Sequence, residues 1–151
     1  LPAGRKKERQ EAIVPLSDPA LVILSEARRR SPEAEGPFPG RGNETIRRDS
    51  LTQLFSRDCE MLGIEGLTMH DLRRTGRTAI TDPERLGFPP HIGEAVLSHA
   101  IGNALTRTYD KNSYLPEKRR ALEAWADEIL RVAGEARPSE AEAKVVQLRR
   151  R

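Results

Sequence analysis

Residues 67–80, LTMHDLRRTGRTAI, constrain the local fold more tightly than any other stretch of this chain. Thr68 and Asp71 stand in the S/T-x-x-D/E spacing of a capping box, in which each side chain satisfies a backbone N–H near the other residue. Leu67 and Leu72 occupy the positions of a hydrophobic staple, just before the cap and at the fourth helical residue. The spacing predicts a helix that begins at about Met69. In that register His70 and Arg73 lie three residues apart on one face of the first turns. Unpaired backbone N–H groups and the helix dipole already favour an anion there, so a phosphate fits.

Most of the remaining pattern is helical too. LPAGRKKERQEAIVPLS, residues 1–17, reads as a strand-like piece, a basic turn and a second apolar piece ending at Pro15, which predicts a small β-hairpin with a short first strand. Ser17 or Asp18 can cap the next segment and Pro19 suits a first helical turn. Leu21, Leu24 and Ala27 mark one face of a helix over about 18–30. Residues 31–43, SPEAEGPFPGRGN, read as a surface loop with a brief extended segment at Phe38. Leu51, Leu54, Phe55 and Leu62 recur at helical spacing over roughly 49–62. After the opening stretch come a loop (TDPERLGFPPH), a short helix (HIGEAVLSHA) and another (NALTRTYDKN). A final helix begins near Pro116 and carries an apolar stripe of Leu122, Trp125, Ile129 and Val132. Beyond Gly134 the periodicity stops, and residues 134–151 read as a flexible carboxy-terminal tail. The expected fold class is mostly α with a small β-hairpin at the amino end.

Charge permits an anionic partner, without requiring one, through its distribution rather than its sum. Lys and Arg outnumber Asp and Glu only 26 to 23, for a net charge of +3, yet the basic residues cluster at Arg28–Arg30, at Arg47 and Arg48, and at Arg73, Arg74 and Arg77. With 32% charged and 36% hydrophobic residues, the 151-residue chain supports one domain with a modest core. No apolar run approaches the roughly 20 residues that cross a bilayer, so an intracellular protein without membrane association is the expectation. The single Cys59 excludes an internal disulfide, and the three histidines show no metal-ligand spacing, so neither metal nor cofactor is expected.

Taken together, HDLRRT, then VLSHA about 26 residues later, then TRTYDKNSYLPEKRRALEAWA resemble the catalytic half of tyrosine recombinases, particularly phage-type and genomic-island integrases. The VPLS that follows the expected hairpin is similar to the family's continuation as well. The resemblance covers about residues 1–133 and implies a partial tyrosine-recombinase catalytic domain of the DNA breaking-rejoining fold. It maps His70 and Arg73 onto the His-x-x-Arg motif and His99 onto the second histidine. Tyr109, ten positions later, becomes the nucleophile, and Lys7 the hairpin lysine, with Lys6 as its alternative. Tyr114 competes for the nucleophile's place, but its position beside the start of the last helix suits packing better. Arg74 and Arg77 are candidates for contacts to the DNA backbone or for ion pairs, and His91 for a surface residue. The family's first catalytic arginine lies upstream of the hairpin and has no counterpart here, so a truncated and poorly active fragment is expected.

What the resemblance implies is site-specific DNA recombination through a 3′-phosphotyrosyl intermediate on double-stranded DNA. Self-association into a tetrameric synapse is implied for the intact protein, as is a cytoplasmic location at the bacterial nucleoid or on a phage-encoded system. Two readings stand beside it. A DNA-binding module without catalysis would use the same arginines, and a type IB topoisomerase shares the chemistry.

Overall fold

The computed structural model describes residues 13–98 and 113–138. The described residues form five α-helices: α1 (Asp18–Arg30), α2 (Arg48–Met61), α3 (Met69–Thr81), α4 (Pro90–Val96) and α5 (Leu115–Ala133). Most of the expected hairpin lies outside them. The part that is described, residues 13–17, forms no strand. Pro15 has no N–H to give a ladder, and the Ile13 carbonyl oxygen accepts from Lys118 Nζ at 2.5 Å. The described portion is therefore helical without a sheet, apart from an isolated antiparallel bridge between Pro39 and Thr45. Around that bridge Ile46 N donates to the Phe38 carbonyl at 3.2 Å, which supplies the extended segment expected at Phe38. The expected helix over NALTRTYDKN falls outside the described residues.

Local chemistry sets the helix ends. At α3, Asp71 N donates to Thr68 Oγ1 at 3.3 Å and Thr68 N donates to Asp71 Oδ2 at 3.1 Å, so the capping box is closed. At α1, Ser17 occupies the cap position but its side chain makes no cap bond. Asp18 N donates instead to Glu123 Oε1 on α5 at 3.1 Å. Proline enters the first turn of α1, α4 and α5, where a missing N–H costs nothing. Gly134 closes α5 at φ +71°, a left-handed conformation that favours glycine.

The core sits where α3, α4 and α5 meet, with Ile80, Ile92 and Ala121 at its centre. Leu86, Phe88, Val96, Tyr114 and Trp125 pack around them. Two glycines allow the close approach. A Cβ on Gly93 of α4 would come within 2.6 Å of Thr81 Cγ2, and one on Gly76 of α3 within 3.2 Å of Trp125 Nε1. Helix α1 lies on α5. The expected apolar stripe of α5 is only half used, since Ile129 and Val132 are 47% and 70% exposed. The inward face includes Lys118, Ala121 and Trp125, and past Trp125 the Glu128 side chain meets charged neighbours. Arg85 lies 5.9 Å from the Trp125 ring centroid and bonds Glu128 at 3.0 Å. Arg131 foremost, then Arg85, hold the Glu128 carboxyl down to about 2.

Helix α2 has no comparable packing partner among the described residues. Leu51, Leu54 and Leu62 are correspondingly exposed, and only Cys59 of α2 is buried. At the other end of the chain, the first residues of the expected tail are tied down. Arg137 bonds Asp127 at 2.7 and 2.8 Å, Glu123 at 2.6 Å and Asp18 at 3.4 Å.

Candidate DNA-cleavage site

The site is built outward from the amino end of α3. Because the capping box starts the helix at Met69, His70 and Arg73 fall on successive turns near its amino end, and both are exposed to solvent. The two hydrogen bonds from Thr68 are the main cause that holds the Asp71 carboxyl below its ordinary value, with smaller help from the positive charges of Arg74 and His70. Ionised at neutral pH, Asp71 keeps the cap closed there.

Arg73 reaches across to α4, where an Nη donates to the Leu97 carbonyl oxygen at the carboxy end of that helix. Leu97 is two residues before His99, so this bond joins the His-x-x-Arg pair to the chain segment that leads into the second histidine. A guanidinium carries five N–H donors in a planar fork. One bond to a carbonyl therefore leaves Arg73 able to grip a phosphate.

The neighbouring arginines are engaged with carboxylates. Arg77 spans from α3 to α4 and holds Glu94 Oε1 through Nε at 2.8 Å and an Nη at 2.7 Å. Together with the Gly93 approach, that pair sets the spacing of the two helices. Arg74 makes an outward ion pair with Asp71 at 3.3 Å and stays mostly in water. Exposed pairs of this kind contribute little and are screened by salt, so Arg74 remains available to a polyanion.

Lys7, its alternative Lys6, His99 and Tyr109 lie outside the described residues. Tyr114 is described and takes the packing place expected of it. It is half-buried on the core cluster, and its ring meets that of the exposed His91 with centroids 5.3 Å apart at 57°. Its backbone is left-handed at φ +50°, as is that of Ser98 at φ +55°. Among the described residues no group of His, Cys, Asp and Glu is arranged to hold a metal ion, and no helix is long and apolar enough to cross a membrane. What sequence reasoning missed is Lys118, a lysine 7% exposed among surface arginines of the same helix, with no local pattern that singles it out.

Comparison with known proteins finds relatives among phage and prophage integrases. The chain is 35% identical over 130 residues to the prophage integrase IntA of Escherichia coli strain K12, a match covering 84% of this chain and 30% of that protein. It is 29% identical over 144 residues to the prophage integrase IntZ of the same strain, covering 94% of this chain and 34% of the relative. Against the integrase of Shigella phage Sf6 it is 27% identical over 127 residues, 83% of this chain and 32% of the relative. The chain thus spans about a third of the length of the curated relatives it matches. No family model matches the chain, and no solved structure does.

Proposed function

We propose that this chain, which is related in sequence to the phage and prophage integrases, forms part of the catalytic domain of a tyrosine recombinase and takes part in site-specific recombination of double-stranded DNA. The observation that carries the reading is the bond from Arg73 to the Leu97 carbonyl, which links two motifs 26 residues apart in the sequence at one face of the core.

In this reading the Tyr109 phenolate attacks a DNA phosphorus, forming a P–O bond to the tyrosine as the bond to the 5′-oxygen breaks. The product is a 3′-phosphotyrosyl link and a free 5′-hydroxyl, and reversal by another strand's hydroxyl completes the exchange. A free phenol has a pKa of about 10, so a base must take its proton or nearby positive charge must favour the phenolate. His70 serves as that base. Arg73 holds the non-bridging oxygens and the charge that grows on them, and His99 donates to one of them. Lys7 gives its proton to the departing 5′-oxygen. Arg74 touches the DNA backbone without a role in the chemistry. The intact recombinase assembles as a tetramer on two duplexes.

The test is the covalent adduct. With a suicide substrate that traps the cleaved strand, Tyr109→Phe is expected to keep DNA binding and lose the adduct, while Tyr114→Phe retains it. An adduct persisting in the Tyr109 variant overturns the assignment. A two-duplex strand-exchange assay then separates recombination from simple relaxation of supercoils.

A further inference from the structure

Arg77 stands one turn after Arg73 on α3, and the chemistry proposed above does not use it. The seam between α3 and α4 is made of successive rungs. Thr81 lies against Gly93, where a Cβ would come within 2.6 Å of Thr81 Cγ2, and the Arg77 stem runs alongside with its Cγ 3.5 Å from that same point. Four residues earlier on α3, Arg77 holds Glu94 Oε1 through Nε at 2.8 Å and an Nη at 2.7 Å. Four residues earlier again, Arg73 donates to the Leu97 carbonyl oxygen. The rungs run backward along α3 and forward along α4, so the two helices point in opposite directions here.

The rungs do different things. Contact at Gly93 limits how near the helices come but does little to stop one from sliding along the other. Two charge-assisted bonds to a single carboxylate oxygen are directional and do fix that slide. With 42% and 29% of the two side chains exposed, the pair is partly shielded from water and salt. Helix α4 has only seven residues, so its register on α3 depends on few contacts. That register decides where the Leu97 carbonyl lies. Arg73 is exposed and carries about 2 kcal/mol of rotamer entropy, and among the described residues the Leu97 carbonyl is what holds its guanidinium.

We propose that Arg77 is a positioning residue for the phosphate clamp: by holding Glu94 it fixes where α4 presents the Leu97 carbonyl, and that carbonyl sets the direction in which the Arg73 guanidinium points. The inference rests on the reading of Arg73 as the group that holds the non-bridging oxygens. A planar fork grips a phosphate only when it is aimed, and a small misplacement costs up to about 100-fold in rate.

The experiment measures single-turnover cleavage by the intact protein on two substrates. One is an ordinary duplex. The other carries a methylphosphonate at the scissile position, where a methyl group replaces one non-bridging oxygen and removes the negative charge that Arg73 holds. Arg77→Met keeps the stem over Gly93 and removes the fork. It is expected to cleave the ordinary duplex roughly 10- to 100-fold more slowly, to cleave the methylphosphonate at the unmodified protein's rate on that substrate, and to bind DNA unchanged. Added to Arg73→Ala, it is expected to slow the ordinary duplex no further, because residues that act through one group are not additive. Equal loss on both substrates, or loss on neither, overturns the proposal. So does weaker binding with an unchanged rate on bound DNA, which would make Arg77 a backbone contact. Arg73→Ala is the control. If the methylphosphonate rescues Arg73→Ala but not Arg77→Met, the inference about Arg77 fails alone; if it does not rescue Arg73→Ala, the clamp is elsewhere and both fall. Should the methionine variant melt early, Glu94→Gln leaves Arg77 in place, weakens the same pair and gives the same comparison.

Discussion

The pair Thr68 and Asp71 decides where α3 begins, and so which way His70 and Arg73 face. Thr68→Ala removes the hydroxyl that accepts from Asp71 N and is expected to cost about 1 kcal/mol, read by thermal melting. Its second effect is on acid stability. The folded state holds the Asp71 carboxyl below the ordinary 3.8, chiefly through Thr68. A carboxyl depressed on folding stabilises at pH values above its unfolded pKa, and that contribution is lost as the pH falls through the folded value. The stability difference between the unmodified chain and Asp71→Asn is therefore expected to be full at neutral pH and to close as the pH drops below 3.8. A difference that persists unchanged into strong acid would show that the carboxylate does not hold the cap. All of this was legible in the sequence, because a capping box involves four consecutive residues and no distant partner.

At the level of elements, α3 and α4 approach so closely that Gly93 admits no side chain. Thr81 cannot turn away freely, since its hydroxyl donates to the Arg77 carbonyl at 3.1 Å. Gly93→Ala is expected to destabilise by about 1–3 kcal/mol, the usual cost of overpacking a filled site. It should also loosen the Arg77–Glu94 pair and the hold of Arg73 on Leu97, which under the proposed function weakens DNA cleavage alongside stability. Gly76→Ala meets Trp125 at 3.2 Å rather than 2.6 Å and should be the milder of the two, so chemical denaturation of both variants checks the order. An equal or reversed order would mean that α4 can shift away from α3. Neither glycine could be read this way from the sequence, where each is a residue that weakens a helix. The reason it is there lies on another helix.

For the whole molecule, the arginines outside the core offer sequence-independent attraction to phosphate. Under the proposed function, DNA binding is expected to weaken steeply and linearly in log–log form as salt rises. Cleavage is a separate matter. Under the function proposed above Arg73 is a transition-state donor, and loss of one such donor costs on the order of 10²–10³ in rate. A suicide-substrate assay comparing Arg73→Ala with the unmodified protein should give far less covalent adduct from the variant. Comparable yields from both would show that Arg73 does not clamp the phosphate.

The sequence by itself determined the starts and stops of α1, α2, α3 and α5, and it carried the motif order that relates the chain to integrases. Those signals are local: a cap, a first-turn proline and a closing glycine each act within a few residues. Only the tertiary structure decided which apolar positions are used. Leu54 and Leu62 around α2 and Ile129 and Val132 on α5 have the spacing of core residues yet stay exposed, because burial depends on which surfaces meet. Arg77 against Glu94, Arg73 against Leu97 and Lys118 against Ile13 belong to the same class. Each joins residues at least 17 positions apart, and no local periodicity encodes a partner that folding alone brings within bonding distance.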